Sequence, residues 1–304
     1  MSALVIDGKA AAARLRLLVA AEADRLKTEH GIVPCLAVVV VGDDPASAIY
    51  VASKNSAARE IGFVVRDMRH PASLPARELL DIVGALNADK SVHGILVQMP
   101  LPESIRTREI ITAIDPAKDV DGLTPLNLGR LMIGEITVER GLVACTPSGA
   151  LMLLKEAIGR DLSGRHAVII GRSQQVGRPL AHLLLQENCT VTIAHSRTAG
   201  LATLCRTADI VIAAAGRAEL VRGDWIKPGA TIIDVGINRV PAEGGKMRLT
   251  GDVAYTEVLQ NAAAISPVPG GVGPMTIACL MRNTLIAACI QAGLPQPEVQ
   301  PHAI

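Results

Sequence analysis

The sequence predicts an α/β protein of two domains, each built on a parallel β-sheet with helices on its faces. Short aliphatic runs of strand length alternate with helical patterns along the chain, which is typical of parallel sheets covered by helices. The chain also has 304 residues, more than the roughly 250 beyond which a single core usually divides. We expect the first domain to end near residue 142.

Composition limits the function classes. Hydrophobic residues make up 49% of the chain and charged residues 19%, which indicates ordinary globular folding. The formal net charge is +1 and only four residues are aromatic, so we expect no nucleic-acid partner. The six cysteines form no CxxC pair and have no metal-ligand spacing with the histidines. This pattern favours reduced thiols, no metal and a cytoplasmic protein.

Two segments bear on targeting and membranes. Asp7, Lys9 and Arg14 interrupt the N-terminal stretch where a signal peptide needs a continuous apolar block. The longest apolar segment, "TIACLMRNTLIAACIQAG", contains Arg282 and further polar residues. We therefore expect no membrane span.

The first domain is predicted from strand runs and helix signals. The run "LAVVVVG" (36–42) predicts a buried strand, and the helix after it has Asp44 as N-cap, Pro45 at its first position and Gly62 as its stop. Further strands are predicted in "FVVRDM" and "GILVQM", and further helices in "ARELLDIVGALN" and near 104–114. The segment "DPAKDVDGLTPLNLGRL" is predicted to be irregular.

The second domain begins with a predicted helix over 148–158, followed by strands in "AVII", "TVTIA", "DIVIAAA" and "TIIDVG". The first of these strands runs into the glycine loop "GRSQQVG" (171–177) and then a helix, which is the dinucleotide-binding arrangement. Backbone N–H groups at such a helix start can bind a phosphate. Ser173 occupies the middle position of this loop, so an ordinary strand-to-helix turn is the alternative.

The residues after the second strand indicate which dinucleotide binds. An NAD-binding domain usually has an acidic residue there, whereas this chain has His195, Ser196 and Arg197. Cations and a hydroxyl favour a 2′-phosphate, and Arg172 can add a second cation. We therefore predict NADP over NAD. The alternative is that both arginines are solvated surface charges.

Tyr50 and Lys54 are four residues apart in a predicted helix, which places their β-carbons about 5–6 Å apart on one face. Gln98 ends the strand "GILVQM", and strand carboxyl ends border the ligand crevice of open α/β sheets. An isolated pair of this kind is more often a solvated lysine and a core tyrosine. YxxxK also occurs in short-chain dehydrogenases, but there the glycine loop precedes it, whereas here it follows.

Two loops complete the candidate set. In "KDVDG", Asp119 and Asp121 can bind an amidine-like or aminopyrimidine edge, with turn capping as the alternative. In "PVPGGVGP" (267–274), Gly270 and Gly271 allow the backbone to approach a flat ligand closely. The alternative for this second loop is a tight turn between domains.

Eight motifs, in this order, resemble the bifunctional methylenetetrahydrofolate dehydrogenase/cyclohydrolase family: "YVASK", "GILVQMPLP", "KDVDG", "ACTPSG", "GRSQQVG", "DVGIN", "GDV" and "PVPGGVGPMT". The resemblance implies a folate-binding catalytic α/β domain over 1–142 and 275–304 and a Rossmann-like NADP domain over 143–274. It also implies that the last helix returns to the first domain, that a tetrahydrofolate derivative binds between the domains, and that the chain forms a homodimer.

The same resemblance implies the activity, which is NADP-dependent oxidation of 5,10-methylenetetrahydrofolate to 5,10-methenyltetrahydrofolate followed by hydrolysis to 10-formyltetrahydrofolate. It also implies the residues of the site. By this likeness we expect Lys54 to be the catalytic lysine, Tyr50 to stack on the p-aminobenzoate ring, Gln98 to support the lysine and Asp121 to bind the pterin. Further substrate contacts are implied at Pro269, Gly270 and Gly271, and cofactor contacts at Gly171, Arg172, Ser173, Ser196, Ile237, Thr146 and Thr276. The chain departs from the family pattern at Ser56 and Thr124. The alternative function is a non-catalytic folate- or nucleotide-binding module.

Overall fold

A computed structural model describes residues 3–138, 140–241 and 247–299 of the chain. Two compact units can be distinguished. The three-stranded unit comprises Ala13–Cys145 and Ile277–Ile304, and the six-stranded unit comprises Met1–Ala12 and Thr146–Thr276. Neighbouring strands are parallel in both of these sheets, which confirms the predicted fold class.

The first part of the chain supplies the three-stranded sheet and, with β1, one strand of the other sheet. The elements of this part of the chain are β1 (Leu4–Val5), α1 (Gly8–His30), β2 (Cys35–Val41), α2 (Pro45–Glu60), β3 (Val64–His70), α3 (Ala76–Ala88), β4 (Gly94–Val97), α4 (Thr107–Ala113) and α5 (Pro125–Met132). The strand order of the three-stranded sheet is β3-β2-β4. Every residue of the central strand β2 is buried, as expected for a parallel strand covered on both faces.

Helix α5 lies where the sequence predicted irregular structure. Thr124 is its N-cap, because the threonine hydroxyl accepts the Asn127 N–H at 3.4 Å, and Pro125 takes the first helical position. The surrounding turn-forming residues hid this start signal. The prediction of an irregular segment was wrong over these residues.

The second part of the chain supplies the six-stranded sheet. Its elements are α6 (Cys145–Ile158), β5 (His166–Ile170), α7 (Gly177–Gln186), β6 (Thr190–Ala194), α8 (Leu201–Cys205), β7 (Ile210–Ala213), β8 (Thr231–Asp234), β9 (Asn238–Pro241), β10 (Met247–Thr250), α9 (Tyr255–Val258), β11 (Ala264–Ile265) and α10 (Val272–Gln291). The strand order is β1-β11-β8-β7-β5-β6, so the order reverses between β5 and β7.

Two features of this second unit differ from the sequence expectation. Strand β1 pairs with β11, with Leu4 opposite Ala264, whereas residues 1–142 were predicted to form the other domain. A two-residue strand carries too little periodicity to reveal which sheet it joins. Strands β9 and β10 form an antiparallel pair that the sequence analysis did not predict.

Helix α10 returns to the three-stranded unit, as predicted. The Asn283 side chain donates to the carbonyls of Val120 at 2.9 Å and Val143 at 2.8 Å, and Gln291 donates to the His93 carbonyl at 2.7 Å. By length and composition α10 could cross a membrane, but 72% of its most apolar window is buried inside the protein. This burial is the pattern of a core helix.

Candidate active site

Lys54 and Gln98 meet in the three-stranded unit. Lys54 lies in the interior of α2, and Gln98 directly follows β4. The Lys54 amine donates to Gln98 Oε1 at 3.0 Å, and Gln98 Nε2 donates to the Met99 carbonyl at 2.6 Å. Because a carbonyl only accepts hydrogen bonds, the second bond turns Oε1 toward the lysine. The predicted amine and amide are therefore in direct contact.

The start of α2 follows from its N-cap. Asp44 Oδ2 accepts both the N–H and the hydroxyl of Ser47 at 2.8 Å, as the sequence predicted. Tyr50, one turn before Lys54, has an exposed fraction of 38%. An aromatic ring with this exposure is accessible to a ligand, and it is not a core contact.

Asp121 is half-buried in the same unit and is coupled electrostatically to the lysine. Burial raises the pKa of Asp121, the Lys54 charge opposes this rise and the Asp119 charge adds to it. Burial holds the pKa of Cys145 well above its ordinary value, so the thiol stays protonated and donates to the Val120 carbonyl at 3.2 Å. Lys54 and Gln98 are therefore hydrogen-bonded to each other, and the Lys54 charge acts on the Asp121 carboxyl.

Asp119 has a structural environment. Its carboxylate is 1% exposed and accepts the N–H groups of Leu123 at 3.1 Å and Thr124 at 2.7 Å, and the Asn127 amide at 2.9 Å. These three bonds make Asp119 a turn cap, which was the alternative to a ligand-binding role for this residue. Lys118 of the same motif is also buried, and its amine donates to carbonyls at the end of α3.

The glycine loop of the six-stranded unit leaves no room for side chains at its two ends. A Cβ at Gly171, whose φ is +138°, would lie 2.1 Å from the Ala214 carbonyl oxygen. A Cβ at Gly177 would lie 2.1 Å from the Gly171 carbonyl oxygen. The Ser173 hydroxyl accepts the Val176 N–H at 3.1 Å and the Gly177 N–H at 3.4 Å. Ser173 thus stabilises the loop from the position that the sequence pattern reserves for glycine.

This loop lies at the reversal of strand order, beside the carboxyl ends of β5 and β7, where open α/β sheets bind ligands. Arg172 and Ser173 are exposed, and so are Ser196 and Arg197 after β6. A glycine-walled turn, exposed hydroxyls and exposed cations suit the phosphates of a dinucleotide. The residues therefore fit NADP.

The remaining predicted cofactor contacts lie in the same unit. Ile237, after β8, has an exposed fraction of 44%, which is high for a large aliphatic side chain. The hydroxyls of Thr146 and Thr276 are 3.0 Å apart and hydrogen-bonded to each other. Both threonines are half-buried at helix starts.

The loop with Pro269, Gly270 and Gly271 also belongs to the six-stranded unit. Gly270 has φ +110°, and a Cβ at Gly271 would lie 2.6 Å from the Pro267 carbonyl oxygen. The glycines are therefore required by the turn itself. Ligand approach is not needed to explain them.

Sequence reasoning missed two buried aspartates, Asp234 and Asp252, which are 3% and 0% exposed. They belong to "DVGIN" and "GDV", motifs that contributed to the resemblance without a role for either aspartate. The available signal was an aspartate next to, or two residues from, a glycine in each motif. That spacing does not reveal that the two side chains share one network.

The six-stranded unit has the architecture of a dinucleotide-dependent oxidoreductase, and the three-stranded unit adds an amine, an amide and a carboxylate in one place. Comparison with known proteins specifies this class. The tetrahydrofolate dehydrogenase/cyclohydrolase catalytic domain matches residues 6–121, and the NAD(P)-binding domain of the same name matches residues 144–292. The chain belongs to the tetrahydrofolate dehydrogenase/cyclohydrolase family, as predicted.

Relatives match over nearly the whole chain. The bifunctional protein FolD of Rhodopseudomonas palustris (strain TIE-1) is 56% identical, covering 98% of this chain and 100% of the relative. The FolD structure from Campylobacter jejuni is 45% identical with a TM-score of 0.89, covering 94% of this chain and 99% of that one. The Trypanosoma brucei FolD structure, a complex with NADP and an inhibitor, is 38% identical with a TM-score of 0.91, covering 96% of this chain and 99% of that one.

Proposed function

We propose that Lys54, held by Gln98 and coupled to Asp121, carries the hydrolytic step of a bifunctional folate enzyme. The chain oxidises 5,10-methylenetetrahydrofolate with NADP and hydrolyses the resulting 5,10-methenyltetrahydrofolate to 10-formyltetrahydrofolate. The observation that carries the residue assignment is the 3.0 Å hydrogen bond between the Lys54 amine and Gln98 Oε1. A non-catalytic binding module is not favoured, because binding alone does not require an oriented amine.

The chemistry explains the residue types. Loss of hydride leaves a cationic methenyl bridge on the folate, and a positive charge there disfavours a protonated lysine beside it. The neutral amine can then take a proton from the attacking water as the C–O bond forms, and return it to N5 as the bond between the bridge carbon and N5 breaks. The second proton of the water is released to solvent when the formyl C=O forms. Gln98 is neutral and orients the amine through its Oε1.

Tyr50 and Asp121 bind the substrate in this proposal. The exposed ring of Tyr50 stacks on the p-aminobenzoate ring of the folate. Asp121 accepts N–H groups from the aminopyrimidine edge of the pterin, which compensates for the burial that raises its pKa.

The cofactor accepts the hydride when it is bound. Gly171 and Ser173 supply the turn that holds its phosphates, and Arg172 and Ser196 bind the 2′-phosphate. Ile237, Thr146 and Thr276 complete the contacts. The exposure of Arg172 and Ser196 beside a loop closed by two glycines supports these roles.

Replacement of Lys54 by methionine tests the proposal. Methionine keeps the length of the side chain and removes the amine, so we expect the rate of methenyltetrahydrofolate hydrolysis to fall by about 10²–10⁴-fold. Lys54 is half-buried and makes one described side-chain hydrogen bond, so the free energy of unfolding should change by less than about 1 kcal/mol.

The assay follows the absorbance of the methenyl substrate, with denaturant unfolding in parallel. Arg59→Met is the matched control, because Arg59 is an exposed cation in the same helix. A Lys54→Met variant that hydrolyses the substrate at the wild-type rate would refute the assignment.

Family likeness also supports a cytoplasmic homodimer. We propose that the product of the reaction, 10-formyltetrahydrofolate, is a one-carbon donor for purine, histidine and methionine biosynthesis. Analytical ultracentrifugation of the full chain tests the dimer, and a sedimenting mass of 31.8 kDa would exclude it.

A further inference from the structure

Asp252 and Asp234 form a buried carboxylate network that the proposed chemistry does not use. Asp234 ends β8, and Asp252 lies two residues after β10. They are 3% and 0% exposed. Buried carboxylates are costly unless donors surround them, so their partners indicate what they hold in place.

Asp252 accepts four hydrogen bonds. Its Oδ2 accepts the N–H groups of Ala215 at 2.6 Å and Gly216 at 2.8 Å, and its Oδ1 accepts the Arg217 N–H at 2.9 Å and the Asn238 amide at 2.8 Å. Three consecutive peptide planes after β7 are therefore fixed by one side chain. Among side chains only an ionised carboxylate can accept all four bonds without donating one.

Asp234 fixes Asp252 in turn. Asp234 Oδ1 accepts the backbone N–H of Asp252 at 3.0 Å, and Oδ2 accepts that of Val253 at 3.0 Å. The two motifs also interlock through glycines, because a Cβ at Gly236 would lie 2.2 Å from the Asp252 carboxyl carbon and one at Gly251 would lie 1.8 Å from Asp234 Oδ2. The network is thus closed and admits no added atom at either glycine.

The segments that Asp252 holds are the ones that border the cofactor loop. Ala214, the residue before the three fixed peptides, contacts Gly171, the first glycine of the loop. Asn238 directly follows Ile237, a proposed cofactor contact. Both segments follow the carboxyl ends of neighbouring strands, β7 and β8, which is the edge where such sheets bind ligands.

We propose that Asp252 is a positioning residue for NADP: its carboxylate holds segment 215–217 and Asn238 in the conformation that the cofactor meets, and Asp234 anchors its backbone. This inference rests on the cofactor site proposed above. It concerns binding of the dinucleotide, and it assigns no contact between Asp252 and the reacting atoms.

Asp252→Asn tests the proposal in the full-length enzyme. The amide nitrogen replaces one acceptor by a donor, so at least one backbone N–H loses its partner, and we expect the Kd for NADP to rise about tenfold or more. Isothermal titration gives this Kd without turnover. In the cofactor-free protein, amide hydrogen exchange should accelerate at Ala215, Gly216 and Arg217.

The matched control is Asp209→Asn. Asp209 precedes β7, at the opposite end of the strand from segment 215–217, and likewise accepts a backbone N–H, that of His166 at 2.9 Å. We expect this variant to bind NADP within about twofold of the wild-type Kd. Hydrolysis of the methenyl substrate consumes no hydride acceptor, so its rate in Asp252→Asn should also stay within about twofold.

Asn238→Ala keeps the test decisive if Asp252→Asn does not fold. It removes one neutral donor from Asp252 and leaves the three backbone bonds, so we expect the Kd for NADP to rise by about threefold. The positioning role would be overturned by an unchanged Kd for NADP in the variants that fold. It would also be overturned if Asp209→Asn weakened NADP binding as much as Asp252→Asn does. A wild-type chain that does not bind NADP would instead overturn the cofactor assignment itself.

Discussion

In the three-stranded unit the groups assigned to chemistry are side-chain ends: the Lys54 amine, the Gln98 amide and the Asp121 carboxylate. In the six-stranded unit they are mostly backbone, namely the glycine loop and the peptides after β7 and β8. The buried carboxylates of this unit, Asp252 and Asp234, accept hydrogen bonds from the backbone and so hold those loops in place. The difference suits the two reactions, since hydrolysis needs a proton carrier and hydride transfer needs a dinucleotide held in place.

The same contrast separates three aspartates. Asp119 and Asp252 are almost fully buried and accept three and four described hydrogen bonds from nearby donors. Asp121 is half-buried and is coupled to Lys54. A carboxylate whose acceptors are already used by the fold is structural, whereas a half-buried carboxylate that feels the charge of the Lys54 amine is available to a substrate.

The largest expected effect sharpens this contrast within one motif. Asp119→Ala leaves two buried donors and one half-buried donor without their acceptor, so the free energy of unfolding should fall by about 3–5 kcal/mol. Asp121→Ala should lower it by less than about 1 kcal/mol while weakening folate binding. Denaturant unfolding measures both, and equal losses would remove the distinction between the two carboxylates.

A second prediction concerns pH and the six-stranded unit. Burial, together with the Asp252 charge, raises the pKa of Asp234 from 3.8 to about 7 against the effect of its backbone donors. Between these values the folded chain binds more protons than the unfolded chain. The stability that this group contributes is therefore complete below about pH 4 and is lost as the pH rises through 7, by up to about 1.4 kcal/mol per pH unit.

The measurement is the difference in the free energy of unfolding between the wild type and Asp234→Asn, taken from about pH 4 to pH 7. Other titrating groups, including Asp121 with its raised pKa and Asp161 and Asp209 with lowered pKa values, cancel in the difference. Parallel pH profiles for the two proteins would contradict the prediction.

The smallest expected effect tests a side chain in a site made mainly of backbone. Arg172→Ala should reduce the preference for NADP over NAD by about tenfold, because one charge-assisted contact to the 2′-phosphate is lost. The ratio of the Michaelis constants for the two cofactors measures it. Arg178→Ala, an exposed arginine in α7, is the control. An unchanged ratio in Arg172→Ala would show that the arginine is a solvated surface charge.

The sequence contained enough to predict the alternation of strands and helices, the N-cap at Asp44 and the glycine loop, because these depend on neighbouring residues. The pattern placed Lys54 in a helix and Gln98 at a strand end, and their pairing was implied by the family resemblance. The network of Asp252 was not predictable, because its donors lie 14 to 37 positions away along the chain. The joining of β1 to β11, which are about 260 residues apart, depends on tertiary structure in the same way.

The central claim is that hydrolysis and cofactor binding depend on separate groups. Its most direct test measures the rate of methenyltetrahydrofolate hydrolysis and the Kd for NADP side by side in Lys54→Met and Asp252→Asn. We predict that Lys54→Met loses hydrolysis and keeps the wild-type Kd, and that Asp252→Asn binds NADP weakly and keeps hydrolysis. If each variant impaired both quantities to the same extent, the claim would be contradicted.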